Sequence, residues 1–425
     1  MTRDEEIINF LVPLTSLNFI QSKDICLNFS LSQRAKNLKP SPTLAVTARA
    51  AALKAAGKDI IGLGAGEPDF DTPDFIKAAG IEAIEQGLTK YTAVDGTVEL
   101  KQAIINKLKR DNQLDYRPEQ ILASCGGKHS FYNLTQALLD KGDEVIIPAP
   151  YWVSYPPMVE LTGATTVIIE AGAVQDFKIT PEQLNNAITA NTRMLILNSP
   201  SNPTGAVYSD DELRGLAAVI KNYPKILVVS DDIYEAIVWN VKPYRNILSV
   251  APELYEQTMI LNGVSKAYSM TGWRIGYAAG PAGIIKAMKT IQSQSTSNPA
   301  SISQAAAAAA LNGDQNCIQT MLGAFIERHD TIHPLLNALP GVSCNTAQGA
   351  FYLFPDFNEA IENTADVNND IEMAEYLLEK AGVALVPGSA FGAPGFMRLS
   401  FATSLENLEE ALLRLKNTLS IMTSK

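Results

Sequence analysis

Ile226-Leu227-Val228-Val229-Ser230-Asp231-Asp232-Ile233-Tyr234 sets the pattern of the whole chain. Its apolar half reads as a strand buried on both faces, and its polar residues begin where that strand ends. The arrangement recurs. Strand-like runs at Glu144–Ile147, Met194–Leu197 and Met259–Leu261 are separated by amphipathic stretches of helix length. Strands alternating with helices predict an α/β fold built on a mostly parallel, helix-covered sheet. Such sheets bind ligands beyond the carboxyl ends of their strands. Asn198–Gly205, Ser230–Tyr234 and Asn262–Lys266 all fall there.

With 425 residues, 46% hydrophobic and 19% charged, the composition is that of a soluble globular protein long enough for two domains. A net charge of −11 argues against a nucleic-acid surface, so a small anionic substrate must be captured by locally placed cations. Cys26, Cys125, Cys317 and Cys344 lie far apart, which indicates neither a disulfide framework nor a zinc site and suits a reducing cytoplasmic setting. The apolar stretch Ile7–Ile20 follows Asp4, Glu5 and Glu6, is interrupted by Pro13, and is too short to span a bilayer. Residues 1–30 therefore read as an extension outside the fold.

The expected domains are an arm with part of a small domain at 31–75, a large domain at 76–325 and the rest of the small domain at 326–425. Ser301–Leu311, with alanine at every position from Ala305 to Ala310, predicts a closely packed helix joining the two lobes. Beyond it, strands are expected at Thr346–Pro355 and Val383–Pro387, and helices at Asn369–Ala381 and Leu405–Leu419.

Several segments carry chemistry. Ser265-Lys266-Ala267-Tyr268-Ser269-Met270-Thr271-Gly272-Trp273-Arg274 sets a lysine after a strand, with an arginine eight residues on. Ser230-Asp231-Asp232-Ile233-Tyr234-Glu235 follows another strand; its aspartates also suit a helix cap. Asn198-Ser199-Pro200-Ser201-Asn202-Pro203-Thr204-Gly205 has the make-up of a rigid turn. Cys125-Gly126-Gly127-Lys128 precedes an expected helix at Ser130–Leu139, where two glycines fit either a tight turn or a phosphate at a helix N-terminus. Gly64-Ala65-Gly66-Glu67-Pro68-Asp69-Phe70, Lys90-Tyr91-Thr92, Pro150-Tyr151-Trp152 and Met397-Arg398-Leu399-Ser400 complete the set.

In this order, from about Leu31 to Leu419, the segments resemble the class I aminotransferases that depend on pyridoxal 5′-phosphate (PLP). The resemblance implies PLP fold type I: a large domain with a seven-stranded, mostly parallel sheet, plus a smaller α/β domain made from the N-terminal and C-terminal segments. It implies Lys266 as the lysine that carries PLP, Asp231 facing the pyridine nitrogen, and Tyr234 and Asn202 donating to the 3′-oxygen. Ser265, Arg274, Gly126 and Gly127 would hold the phosphate, and Trp152 would stack on the ring. Arg398 would bind the substrate α-carboxylate, with Gly66 beside it. Tyr91 would reach the phosphate of a neighbouring subunit, which implies a homodimer with shared sites.

Substrate choice turns on a second anion site. One branch of the family uses an arginine shortly before an S-N-P sequence, but no arginine occurs here between Arg274 and Arg328. The bacterial aspartate aminotransferases of a second branch use a lysine in G-G-K together with a K-P-S-x-T segment. This chain has Gly126-Gly127-Lys128 and Lys39-Pro40-Ser41-Pro42-Thr43. Lys128, assisted by Ser41 or Thr43, is thus the expected reader of the distal carboxylate of aspartate or glutamate. The expected reaction takes amino acids and 2-oxo acids by ping-pong kinetics. Prephenate or alanine as substrate, and a PLP-dependent carbon–sulfur lyase, are the alternatives; a regulatory PLP-binding protein would carry a fused DNA-binding domain.

Overall fold

The computed structural model describes residues 30–421 except 39, 41 and 240–242. The expectation for residues 1–30, Ser30 apart, and the role expected of Ser41 therefore fall outside the described residues. The described residues before 39 belong to a unit of their own, in which Ser32 caps a short helix, Gln33–Asn37. Everything below concerns residues 40–421.

After helix Pro42–Ala55 comes a two-residue strand, β1 (Ile61–Gly62). A seven-stranded sheet then contains β2 (Ile121–Ser124), β3 (Glu144–Ala149), β4 (Thr165–Glu170), β5 (Thr192–Asn198), β6 (Leu227–Asp231), β7 (Thr258–Gly263) and β8 (Gly276–Ala279), in the order β2-β8-β7-β6-β5-β3-β4. β4, β3, β5, β6 and β7 run parallel, and β8 runs antiparallel to both β7 and β2. This is the mostly parallel sheet expected from the sequence.

Side chains alternate between the two faces, as the pleat requires. Leu195, Leu197, Val228 and Ile260 pack into one apolar cluster with Leu100, Ile104 and Ala307. Met194, Ile196, Val229, Met259 and Leu261 pack into another with Phe131, Leu134 and Met288. Because both faces are covered, β6 and β7 are continuous apolar runs rather than alternating ones.

Reversal of β8 brings two more loops to the edge where the parallel strands end. Gly276 pairs with Gly263 on one side and Ser124 on the other, so Arg274, just before β8, stands beside the ends of β7 and β2. A Cβ on Gly276 would lie 2.2 Å from the Gly127 nitrogen, so only glycine admits this approach.

A third apolar cluster gathers Leu63 and Tyr234 with residues from 321 to 419. It contains β9 (Tyr352–Leu353), β10 (Val383–Ala384) and β12 (Met397–Ser400); β11 (Val386–Pro387) lies between the last two. β1 pairs with β10 in parallel, joining the segment before the large sheet to the C-terminal one. Phe325 is fully buried here, with ring centroids 5.3 Å from Phe351, 5.7 Å from Phe70 and 6.2 Å from Phe401. Phe325→Ala should destabilise the protein by about 3–5 kcal/mol, read as a lower urea midpoint.

Several expectations need correction. The alanine-rich helix, Ser301–Asn312, packs closely, burying Ala306, Ala307 and Ala310 against the helices Asp74–Glu85 and Val98–Asn112, but it does not join the lobes. The 22-residue helix Asn316–Asn337 does: its Ile318 belongs to the large-sheet core, and Met321, Leu322 and Phe325 to the third cluster. Val383–Pro387 is not one strand, because β10 pairs with β1 and β11 with β12. Thr346–Pro355 is extended only at β9, since Ala350 takes a φ of +57° that breaks the run. The helix expected at Ser130–Leu139 starts earlier, at Gly127, and ends at Leu138.

Candidate active site

A cleft of about 430 Å³ opens at the carboxyl edge of the sheet. Gly66, Gly127, Lys128, Trp152, Asn202, Asp231, Tyr234, Ser265, Lys266, Arg274 and Arg398 all line it, as does Thr43 from helix Pro42–Ala55. These residues span more than three hundred positions of sequence, and strand order brings them together. Tyr91 stands outside the cleft and is 92% exposed.

Four cations, Lys128, Lys266, Arg274 and Arg398, converge in this cleft although the chain carries a net charge of −11. Such a cluster repels itself and is stabilised by anions. Burial, followed by the charges of Arg398 and Arg274, lowers the Lys266 amine to about 8, while Glu67 and Asp231 oppose the shift. Its Nζ donates to the Gly66 carbonyl and lies 5.9 Å from the Tyr234 ring centroid. Lys128 is held below the usual lysine range by burial and then by Arg274, and its Nζ lies 5.2 Å over the Trp152 ring.

Arg274 adopts a left-handed φ of +57° and donates from Nη1 to the Thr271 carbonyl at 2.7 Å. Its Nη2 lies so close to Gly126 that a Cβ there would stand 2.3 Å away. Gly126 also has a φ of +91°, so both conformation and space demand glycine. The first N–H groups of helix Gly127–Leu138 follow at once. Together these groups form a cationic cradle with backbone donors, the arrangement that suits a phosphate.

At the centre lies Asp231, the last residue of β6. Tyr155 donates to its Oδ2, and the Ile233 N–H donates to its Oδ1 at 3.3 Å. Burial dominates and pushes this carboxyl up to about 6, against the pull of Tyr155, Ile233 and Lys266. The neighbouring Asp232 points elsewhere and accepts from Ser230, Tyr244 and Asn246. Neither aspartate caps a helix, because residues 233–236 form a turn; that reading of the segment is corrected.

Arg398, on β12 and only 2% exposed, donates to the Asn202 Oδ1 at 2.9 Å and to the Gly64 carbonyl at 2.7 Å. Its guanidinium carbon lies 4.6 Å from the Tyr352 ring centroid. Tyr352 shares a 2.9 Å hydrogen bond with Tyr234. Asn198 ties two segments together, donating to the Asp231 carbonyl at 3.0 Å and accepting from the Asn202 N–H at 2.9 Å. Tyr155, Tyr352 and Asn198 were not singled out from the sequence. Only Asn198 had a signal, as the first residue of the N-S-P-S-N-P run.

Residues 58–415 match the family described as "Aminotransferase class I and II". The chain belongs to that family. This aminotransferase is 58% identical over 395 residues to the aspartate/prephenate aminotransferase of Nitrosomonas europaea, covering 92% of this chain and 100% of that one. The crystal structure of the aspartate aminotransferase from Rhizobium meliloti superposes with a TM-score of 0.89 at 46% identity, covering 92% of this chain and 99% of that one. That of the Thermus thermophilus aspartate aminotransferase with maleate gives a TM-score of 0.86 at 43% identity, covering 92% and 100%. Among the described residues of this aminotransferase, no helix is long and apolar enough to cross a membrane.

Proposed function

We propose that this aminotransferase binds PLP in the cleft and moves an amino group between aspartate and 2-oxoglutarate, giving oxaloacetate and glutamate. The observation that carries the reading is Lys266 with its amine lowered to about 8, between Asp231 and a cationic cradle at Gly126, Gly127 and Arg274. The residues present fit the cofactor: the cradle suits its phosphate, and the cleft offers Asp231 for a ring nitrogen and the face of Trp152 for the ring. When bound, PLP supplies a conjugated pyridine that withdraws electrons from the substrate α-carbon.

Each side chain then has a task. Arg274, Ser265 and the Gly126–Gly127 backbone hold the phosphate. Asp231 holds a proton on the ring nitrogen by its charge. Tyr234 and the Asn202 amide donate to the ring oxygen; Asn202 uses its carbonyl oxygen on Arg398 and so keeps its NH2 group for this. Arg398 grips the α-carboxylate, with Gly66 beside it. The Lys266 amine would take the proton from the substrate α-carbon and hold it for return, acting first as general base and then as general acid. The two substrates react in turn, so the kinetics are ping-pong.

Lys128 is the reader of the distal carboxylate, with Thr43 at the same cleft. The relative crystallised with maleate, a dicarboxylate, supports a second anion site in this fold. Exposed Ile81, Ile84, Leu88 and Tyr91 support a homodimer in which Tyr91 serves the partner's phosphate site.

The experiment compares aspartate, glutamate, alanine and prephenate as amino-group partners for wild type and Lys128→Ala. Wild type should turn over aspartate with 2-oxoglutarate. Lys128→Ala should lose about tenfold or more in kcat/KM with dicarboxylates, whose distal carboxylate loses its cationic partner, and much less with alanine. Dicarboxylate rates left unchanged by the substitution would remove Lys128 from this role. The name of the Nitrosomonas relative includes prephenate, so a second activity on that dicarboxylate is tested in the same series.

A further inference from the structure

Tyr155 is the first residue of the short helix Tyr155–Glu160 and is 2% exposed. Its phenol donates to one acceptor, the Asp231 Oδ2. Burial and the neighbouring carboxylate hold that phenol well above its usual range, so it keeps its proton and can only donate. Its ring stands edge-on to Trp152, with centroids 5.2 Å apart and planes at 86°, and edge-on to Phe131 at 5.1 Å. One side chain therefore touches both the carboxylate at the centre of the cleft and the aromatic that faces Lys128.

Among the described residues, nothing else supplies Asp231 with a strong neutral donor. Its other oxygen has only the 3.3 Å contact from the Ile233 N–H, and Asn198 bonds the Asp231 backbone carbonyl rather than the carboxylate. A buried carboxylate with too few donors takes up a proton. A protonated Asp231 would no longer attract the positive charge of a protonated ring nitrogen.

Resting on the PLP reading above, we propose that Tyr155 is a positioning residue for the reaction: its phenol fixes the Asp231 carboxylate and keeps it ionised, so that Asp231 can hold the proton of the cofactor's ring nitrogen. The ring of Tyr155 packs, and its hydroxyl sets the charge state. Tyr155→Phe removes the hydroxyl alone and leaves the contacts with Trp152 and Phe131.

The test titrates apo-protein with PLP from pH 5 to 8, following quenching of tryptophan fluorescence, for wild type, Tyr155→Phe, Asp231→Asn and the double variant. The other groups facing Asp231 are Lys266 from the loop after β7, Tyr234 from the turn that follows Asp231, and Tyr244. They are the same in wild type and Tyr155→Phe, as is the cofactor's own titration, so both cancel in that comparison. In wild type the affinity should fall as pH drops through about 6, where Asp231 protonates. Tyr155→Phe should weaken binding at neutral pH roughly tenfold or more and move this acid limb upward by about one pH unit or more, the size expected for a hydrogen bond to a charged group. On the Asp231→Asn background, Tyr155→Phe should have no further effect.

A Tyr155→Phe protein with wild-type affinity and an unmoved acid limb would overturn the proposal. An equal loss on both backgrounds would overturn it as well, because the phenol would then act somewhere other than on Asp231. Wild-type apo-protein that fails to bind PLP at all would instead sink the cofactor reading, which keeps the two failures apart.

Discussion

Lys266→Ala is expected to leave the fold intact and to lower kcat by at least about four orders of magnitude, with aspartate and alanine alike. The size follows from the two tasks proposed for one amine: anchoring the cofactor and moving the α-proton. Its surroundings prepare it for both. An ordinary lysine with a pKa near 10.4 is neutral about once in 2,500 molecules at pH 7. At the value of about 8 set by burial, Arg398 and Arg274, roughly one in ten is neutral. Reaction of the apo-protein's Lys266 with an amine-directed reagent should therefore climb with pH and level near 8 rather than above 10.

Stability follows the same group. The folded pKa is depressed, so the apo-protein binds fewer protons at Lys266 than the unfolded chain between about 8 and the ordinary lysine value. Its stability should accordingly rise with pH across that window, where the unfolded chain binds more protons. Lys266→Ala should flatten this rise. A variant that kept activity within a hundredfold of wild type would sink the assignment; a lost fold would show in the urea transition.

How much of this was legible in the sequence depends on the range of the contacts involved. β5, β6 and β7 were visible because a strand covered on both faces needs no alternation, only a short apolar run. The polar residues that follow were visible as site residues because parallel strands end on one edge, whatever their order. Lys266, Asp231 and Asn202 share a cleft accordingly, and Arg398 enters it from β12, outside the large sheet.

What stayed hidden rests on partners distant in the chain. Leu385 separates β10 from β11 because Val383 pairs with Ile61 while Val386 pairs with Arg398, and no local pattern encodes that. The alanine run announced close packing through its small side chains but not the partner, which proved to be the helices Asp74–Glu85 and Val98–Asn112. Tyr155 and Tyr352 looked like ordinary core aromatics, since only the fold sets their hydroxyls against Asp231 and Tyr234. For Asp231 and Asp232, sequence offered two adjacent carboxylates and no means to tell which one faced the cleft.

Arg398→Ala should lower kcat/KM by about 100- to 3,000-fold for every amino acid and 2-oxo acid, whatever its side chain. Removing one partner of a buried charge pair costs about 3–5 kcal/mol, and 1.4 kcal/mol is tenfold. The breadth of the loss is the informative part. The role proposed for Lys128 concerns a group that only dicarboxylates possess, whereas the α-carboxylate is common to all substrates. Asn202, the Gly64 carbonyl and the Tyr352 and Phe391 rings already hold the guanidinium, the rings 4.6 and 5.0 Å from its carbon, so little entropy is lost when it pairs with a carboxylate. Among the described residues its Nε has no partner, which leaves a buried donor to be satisfied in the loaded site. Arg398→Lys keeps the charge but loses the planar fork, so it should recover only part of the activity. A loss confined to aspartate and glutamate would mean instead that Arg398 reads the distal carboxylate, and Lys128→Ala, measured beside it, should then spare the dicarboxylates.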